Sequence, residues 1–155
     1  MKKLLIAISF LVLIISCNEK PGKDPQAPAA VSITGTWKLL TGTIIEKGDT
    51  TITDYTKDKS FIKIINDSHF SFLLHDLQKG KDSAAVFTAG GGRYTLSGNS
   101  YTEHLEYCSA REWEGHDFSF TVTINNDTLI QSGVEKIESE GTNRINTEKY
   151  IRIKN

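Results

Sequence analysis

Polar and apolar residues alternate in steps of two along most of this chain. The plainest case is residues 116–124, where Phe118, Phe120, Val122 and Ile124 fall on one side and Ser119, Thr121 and Thr123 on the other. A period of two belongs to a β-strand with one buried face. The same alternation runs through residues 34–45, 50–55, 60–65 and 69–75, the last with Phe70, Phe72 and Leu74 in line. Further segments are 84–88, 93–96, 101–107, 128–132, 134–139 and 148–154. Turn chemistry separates them: Glu46-Lys47-Gly48-Asp49, Asn66-Asp67-Ser68, Ser97-Gly98-Asn99-Ser100, Asn125-Asn126-Asp127 and Gly141. No window has a convincing helical period. A meander of this kind must close or pair face to face to hide its edges. The expected fold is all-β, an antiparallel up-and-down β-barrel of about 8–10 strands, with either a packed interior or room for one small ligand.

The first residues follow a different pattern. Lys2 and Lys3 precede an apolar run over residues 4–15, interrupted only by Ser9. A bilayer-spanning helix needs about 20 apolar residues, so this run is too short to span and suits the core of a signal peptide. It leads into Leu13-Ile14-Ile15-Ser16-Cys17, which looks like a bacterial lipobox. Cleavage before Cys17 would leave a diacylglyceryl thioether and an amide-linked acyl chain. Several chains, at about 0.8 kcal/mol per buried CH₂, make a stable membrane anchor. Pro21, Pro25 and Pro28, with Gly22 and several Lys and Ala, then read as an extended tether. The expected organisation is a signal peptide over 1–16, the lipidated Cys17 and a linker over 17–31, and one β-barrel domain over 32–155. Asn18 is not a strong inner-membrane retention signal. The expected address is therefore the outer membrane, on its periplasmic face or at the cell surface.

Charge narrows the partners. Without Lys2 and Lys3, 16 of the 18 basic residues remain against 19 acidic ones, a net charge of about −3. There is no basic stripe and no Arg cluster, which argues against nucleic acid and against an anionic bilayer held by charge. With Cys17 committed to lipid, Cys108 stands alone, so no intramolecular disulfide is expected. It is either a reactive thiol, an intermolecular partner or a small packed side chain.

Gly35-Thr36-Trp37 opens the first strand, and Tyr150-Ile151-Arg152-Ile153 lies in the last. This arrangement resembles the Gly-x-Trp signature of lipocalins. There the Trp plugs the closed end of the barrel and packs against an Arg late in the chain. The resemblance makes Gly35, Trp37 and Arg152 a structural signature, with Arg144 as the other candidate for the Trp37 partner. Residues 90–96 and 99–107, Gly-Gly-Gly-Arg-Tyr-Thr-Leu and Asn-Ser-Tyr-Thr-Glu-His-Leu-Glu-Tyr, are similar to lipocalin-like (calycin-type) domains of unknown function in exported bacterial lipoproteins. What this implies is a calycin-type barrel and capture of a small apolar molecule, with no ligand assigned.

The best candidate site is residues 101–107. On a regular strand Tyr101, Glu103, Leu105 and Tyr107 share one face, and Thr102, His104 and Glu106 the other. The first face, together with Tyr94 and the loop residue Trp113, would make a mostly apolar wall with one acid and a few hydroxyls. The alternative for Glu103 is a plain pair with a neighbouring Lys or Arg such as Arg93. Trp113 either closes over a ligand or packs on the rim. His104 and Glu106 are two metal-ligand types on one face, but no spacing supplies the remaining ligands zinc needs. His69 and His75 are roughly 20 Å apart on a strand. Gly90-Gly91-Gly92 lacks the Lys-Ser/Thr of a phosphate loop and reads as a strand bend or bulge. His104 and Cys108 would point to the same side about 13 Å apart, too far for a nucleophile and its base.

These residues lead to a non-enzymatic, membrane-anchored protein that binds a small apolar or amphipathic molecule, without catalytic residue, metal or cofactor. The alternative is a protein–protein module, an inhibitor or envelope scaffold, with a solid barrel core.

Overall fold

The computed structural model describes residues 32–154. The expected signal peptide, Cys17 and the linker lie outside the described residues. Nine strands follow one another: β1 (Gly35–Glu46), β2 (Asp49–Asp54), β3 (Lys59–Ile65), β4 (His69–Asp76), β5 (Phe87–Ser97), β6 (Ser100–Cys108), β7 (Asp117–Asn125), β8 (Thr128–Ile137) and β9 (Thr142–Arg152). Short 3-10 turns occupy Arg111–Trp113 and Glu138–Glu140.

Each strand pairs antiparallel with its neighbours, and β1 also pairs with β9, so the sheet closes on itself. β2 and β3 share one edge of β1: residues 41–46 of β1 face β2 and residues 35–38 face β3. The two are collinear and act as one interrupted stave, giving a closed eight-strand up-and-down barrel. The alternation read from the sequence is what makes closure possible. One side of each strand, including Phe118, Phe120 and Val122 of β7, goes inside, and closure pairs the ring strands on both sides, while β2 pairs with β1 alone.

Two expected strand breaks are absent. Residues 84–88 and 93–96 were separated by Gly90-Gly91-Gly92 in the expectation, but β5 runs straight through these glycines and starts only at Phe87. Likewise β8 continues through Gly133. Their physical role is close approach. A Cβ on Gly92 would run into the His104 carbonyl oxygen, and one on Gly133 into that of Ser119. At Gly92 the β5–β6 ladder also slips: Gly92 faces Leu105 while Gly91 faces Tyr107, so Glu106 is an extra residue on β6.

One end of the barrel is plugged. Trp37 is fully buried, its indole N–H donates to the Ile33 carbonyl at 2.8 Å, and the Arg152 guanidinium lies 4.0 Å from its ring centroid. Arg152 also donates to the Thr34 carbonyl at 2.6 Å, which ties the start of β1 to the end of β9. Such a stack contributes about 0.5–2 kcal/mol.

Gly92→Ala is expected to destabilise the barrel by about 1–3 kcal/mol or more, because a rigid backbone oxygen blocks the added methyl. Thr95→Ala, at an exposed position of the same strand, is expected to stay within about 0.5 kcal/mol. Urea-unfolding midpoints of the two variants check this.

Candidate functional site

The barrel interior is not solid. Above the Trp37 plug lies a cavity of about 340 Å³. Its walls are of two kinds. Phe61 of β3, Phe72 of β4, Leu105 of β6 and Phe118 and Phe120 of β7 make an apolar side, on which Phe61 and Phe72 stack at 5.8 Å. Gln131 and Glu135 of β8 and Arg144, Asn146 and Glu148 of β9 make a polar side. These pair across the ladder, Gln131 with Glu148 and Glu135 with Arg144, so one stripe of two strands carries most of the polarity.

Lys63 joins the two halves. It sits beside Trp37 in the β1–β3 ladder and is 2% exposed. Its ammonium donates to Glu103 of β6 at 2.7 Å and to Gln131 of β8 at 3.1 Å, and lies 3.7 Å from Glu148 of β9. Both β6 and β8 are three staves away from β3, in opposite directions around the ring. Burial alone would depress the Lys63 pKa, but the carboxylates of Glu103 and Glu148 outweigh it and hold the amine protonated. Burial raises the Glu103 pKa, against the pull of Lys63. Glu148 also accepts from the Tyr150 hydroxyl at 2.7 Å. Nearer the mouth, Glu135 accepts from Arg144 at 2.6 Å and from Asn146 at 2.8 Å.

The mouth has its own aromatic–cation pair. Trp113, on the 3-10 turn Arg111–Trp113, rests against Phe118 at 5.5 Å, and the Arg144 guanidinium lies 5.0 Å from its ring centroid. Both arginines considered for Trp37 are therefore used, Arg152 at the closed end and Arg144 on the second tryptophan at the open end.

Of the residues singled out in the sequence, Glu103, Leu105 and Trp113 line the cavity. Tyr101 points inward and is fully buried, packed against Tyr94 at 5.3 Å. Its hydroxyl closes no hydrogen bond among the described residues, and burial followed by the nearby Glu103 raises its pKa. Tyr94 is half-buried and donates to the Asn66 carbonyl at 2.7 Å, bracing a turn at the closed end.

Tyr107 corrects the expectation. It is 68% exposed and faces outward, because the extra residue Glu106 reverses the alternation after Leu105. The same slip turns Cys108 inward, where it lines the cavity, while His104 stays outside and bonds Asp117 at 2.8 Å. His104 and Cys108 thus lie on opposite faces, not the same one. Glu103 does not pair with Arg93, whose partner is Glu106 at 2.6 Å on the outer face. Among the described residues no group of three or more His, Cys, Asp or Glu could hold a metal ion.

Lys63, Gln131, Glu135, Asn146 and Glu148 were not singled out from the sequence. A signal existed: they occupy inward positions between apolar residues of the same face, as in Leu129, Gln131, Gly133, Glu135 and Ile137. No protein-family model and no curated protein matches the chain.

Lys63→Met is expected to destabilise the fold by about 3–5 kcal/mol, since it strands the buried Glu103 carboxylate, and Lys63→Met with Glu103→Gln is expected to recover part of the loss. Denaturant unfolding of the single and double variants checks this. Between the ordinary glutamate pKa, near 4.3, and the raised value of Glu103, the folded protein keeps a proton that the unfolded chain has released, so stability falls as pH rises through that window. Asp76 acts in the opposite sense at lower pH. Backbone N–H groups of Gly80 and Val86 depress its pKa, and its contribution is lost as pH falls below about 3.9. Glu103→Gln is expected to flatten the fall above about pH 4.3, which urea midpoints measured against pH will show.

Proposed function

We propose that the chain is a membrane-anchored, lipocalin-like lipoprotein that binds one small amphipathic molecule inside its barrel. The observation that carries this reading is the cavity of about 340 Å³, with an aromatic side and a polar stripe. The volume falls at the small end of ligand sites, which run from about 300 to 1,000 Å³, and the lining has the mixture such sites share. A purely apolar guest would displace water from the polar stripe and leave the hydrogen-bonding capacity not used within it unmet. An amphipathic one satisfies both sides.

The reading is that of a carrier or sensor and not a catalyst. Lys63 is held protonated by its carboxylates and so is a poor nucleophile, and Cys108 faces the cavity with His104 on the outer surface. The lipobox-like run ending at Cys17 supports anchoring by acyl chains, and the residues after it support the outer membrane, facing the periplasm or the cell surface. A second reading, a surface for a protein partner, has its own support. Leu73, Phe87 and Tyr107 are exposed apolar residues on the adjacent strands β4, β5 and β6.

Native mass spectrometry on the full chain, released gently from a bacterial envelope, is expected to show an extra mass of small-molecule size that leaves on denaturation. A clean apo mass under those conditions would count against the binding reading. Cys17→Ser is expected to abolish incorporation of a labelled fatty acid and to move the protein out of the membrane fraction. Unchanged labelling would remove the anchor from the proposal.

A further inference from the structure

We propose that the molecule bound in this cavity is a small organic cation of the ammonium class, with its charge at the polar stripe and an apolar body against the aromatic side. The inference rests on the binding reading above and adds the charge of the ligand. Five carboxylate, ammonium or guanidinium side chains face the cavity: Glu103, Glu135 and Glu148 against Lys63 and Arg144. Once Glu103 has ionised, above its raised pKa, three carboxylates meet two cations. Arg144 is committed to Glu135 at 2.6 Å. Lys63 is divided, 2.7 Å from Glu103 and 3.7 Å from Glu148. Glu148 is left with the longer ion contact and one hydroxyl donor from Tyr150.

A carboxylate in a low-dielectric wall is costly without a counter-charge. A guest with one positive charge supplies it; a neutral guest does not, and an anion adds to the excess. The aromatic walls agree, because Phe61, Phe72 and Trp113 give the apolar body of such a guest a surface to pack on while its charge stays at the polar stripe. Size agrees too. At about 30 Å³ for each water, the space equals roughly eleven waters, enough for a body of about ten non-hydrogen atoms.

Three probes share one body and differ in the head group: 2-phenylethylammonium, 2-phenylethanol and 3-phenylpropanoate. Calorimetric titration uses the full chain in lipid nanodiscs, with the heat from empty nanodiscs subtracted. The cation is expected to bind at least about tenfold more tightly than the alcohol, and the anion most weakly. Two variants move the charge balance in opposite directions. Glu148→Gln is expected to cut the preference for the cation over the alcohol to near unity. Arg144→Gln, which frees Glu135 at the mouth, is expected to enlarge it. The opposed signs separate charge from general damage, and Arg144→Gln decides alone if Glu148→Gln does not fold. Equal binding of cation and alcohol would leave the binding reading standing and overturn the charge preference. Strongest binding of the anion would do the same. Binding of none of the three overturns the inference, and the co-purified mass then judges the parent reading by itself.

Discussion

The ammonium of Lys63 is the interaction on which the rest of the interior depends. It reaches from β3 to Glu103 on β6 and to Gln131 on β8, crossing the barrel in two directions. A long charged side chain in that place does two things at once. It ties together strands far apart in the ring, and it keeps polar atoms at the centre, where a barrel of this size would otherwise fill with Phe and Leu. Breaking a buried pair strands a charge, so the network constrains everything around it. The aromatic side chains that make up the other half, Phe61, Phe72, Phe118 and Phe120, pack against the walls and leave the cavity between them and the polar stripe.

Two tryptophans and two arginines frame that interior. Trp37 with Arg152 seals one end, and Trp113 with Arg144 borders the other. Both arginines come from inward positions of β9, eight residues apart, so a single strand supplies the cation at each end of the barrel. The pairs differ in setting. Trp37 is fully buried and its N–H is satisfied by Ile33, which suits a structural plug. Trp113 sits on a short turn between β6 and β7, lines the cavity and keeps partial exposure, which suits a gatepost.

The slip at Glu106 shows how one residue redistributes function. Because Gly92 permits the close approach, β6 can carry Glu106 as an extra outward residue, and the side chains beyond it, Tyr107 and Cys108, change face. Tyr107 moves outside to join Leu73 and Phe87 on the outer surface, and Cys108 moves inside. Without the bulge the cavity wall would be richer by a tyrosine and poorer by a thiol. The outer surface would lose the most exposed aromatic of β6.

The alternation of polar and apolar residues by itself determined that the chain forms antiparallel strands closed into a barrel, since each strand has one face to hide and closure hides its edges too. The tether and the lipobox-like start rest on composition and spacing alone, in residues outside those the structure describes. Glu103, Leu105 and Trp113 were legible as cavity residues because they lie before the bulge or on a loop at the mouth. Only the tertiary structure decided the rest. Tyr107 was placed wrongly because a period of two holds only while the ladder stays in register, and a bulge is set by how closely two backbones approach. Lys63, Glu148 and Glu135 were missed because their meaning lies in partners from strands distant in sequence, which closure of the ring brings within bonding distance. Whether the interior was full or hollow was likewise a question of volumes and partners across the barrel, and no local pattern encodes those.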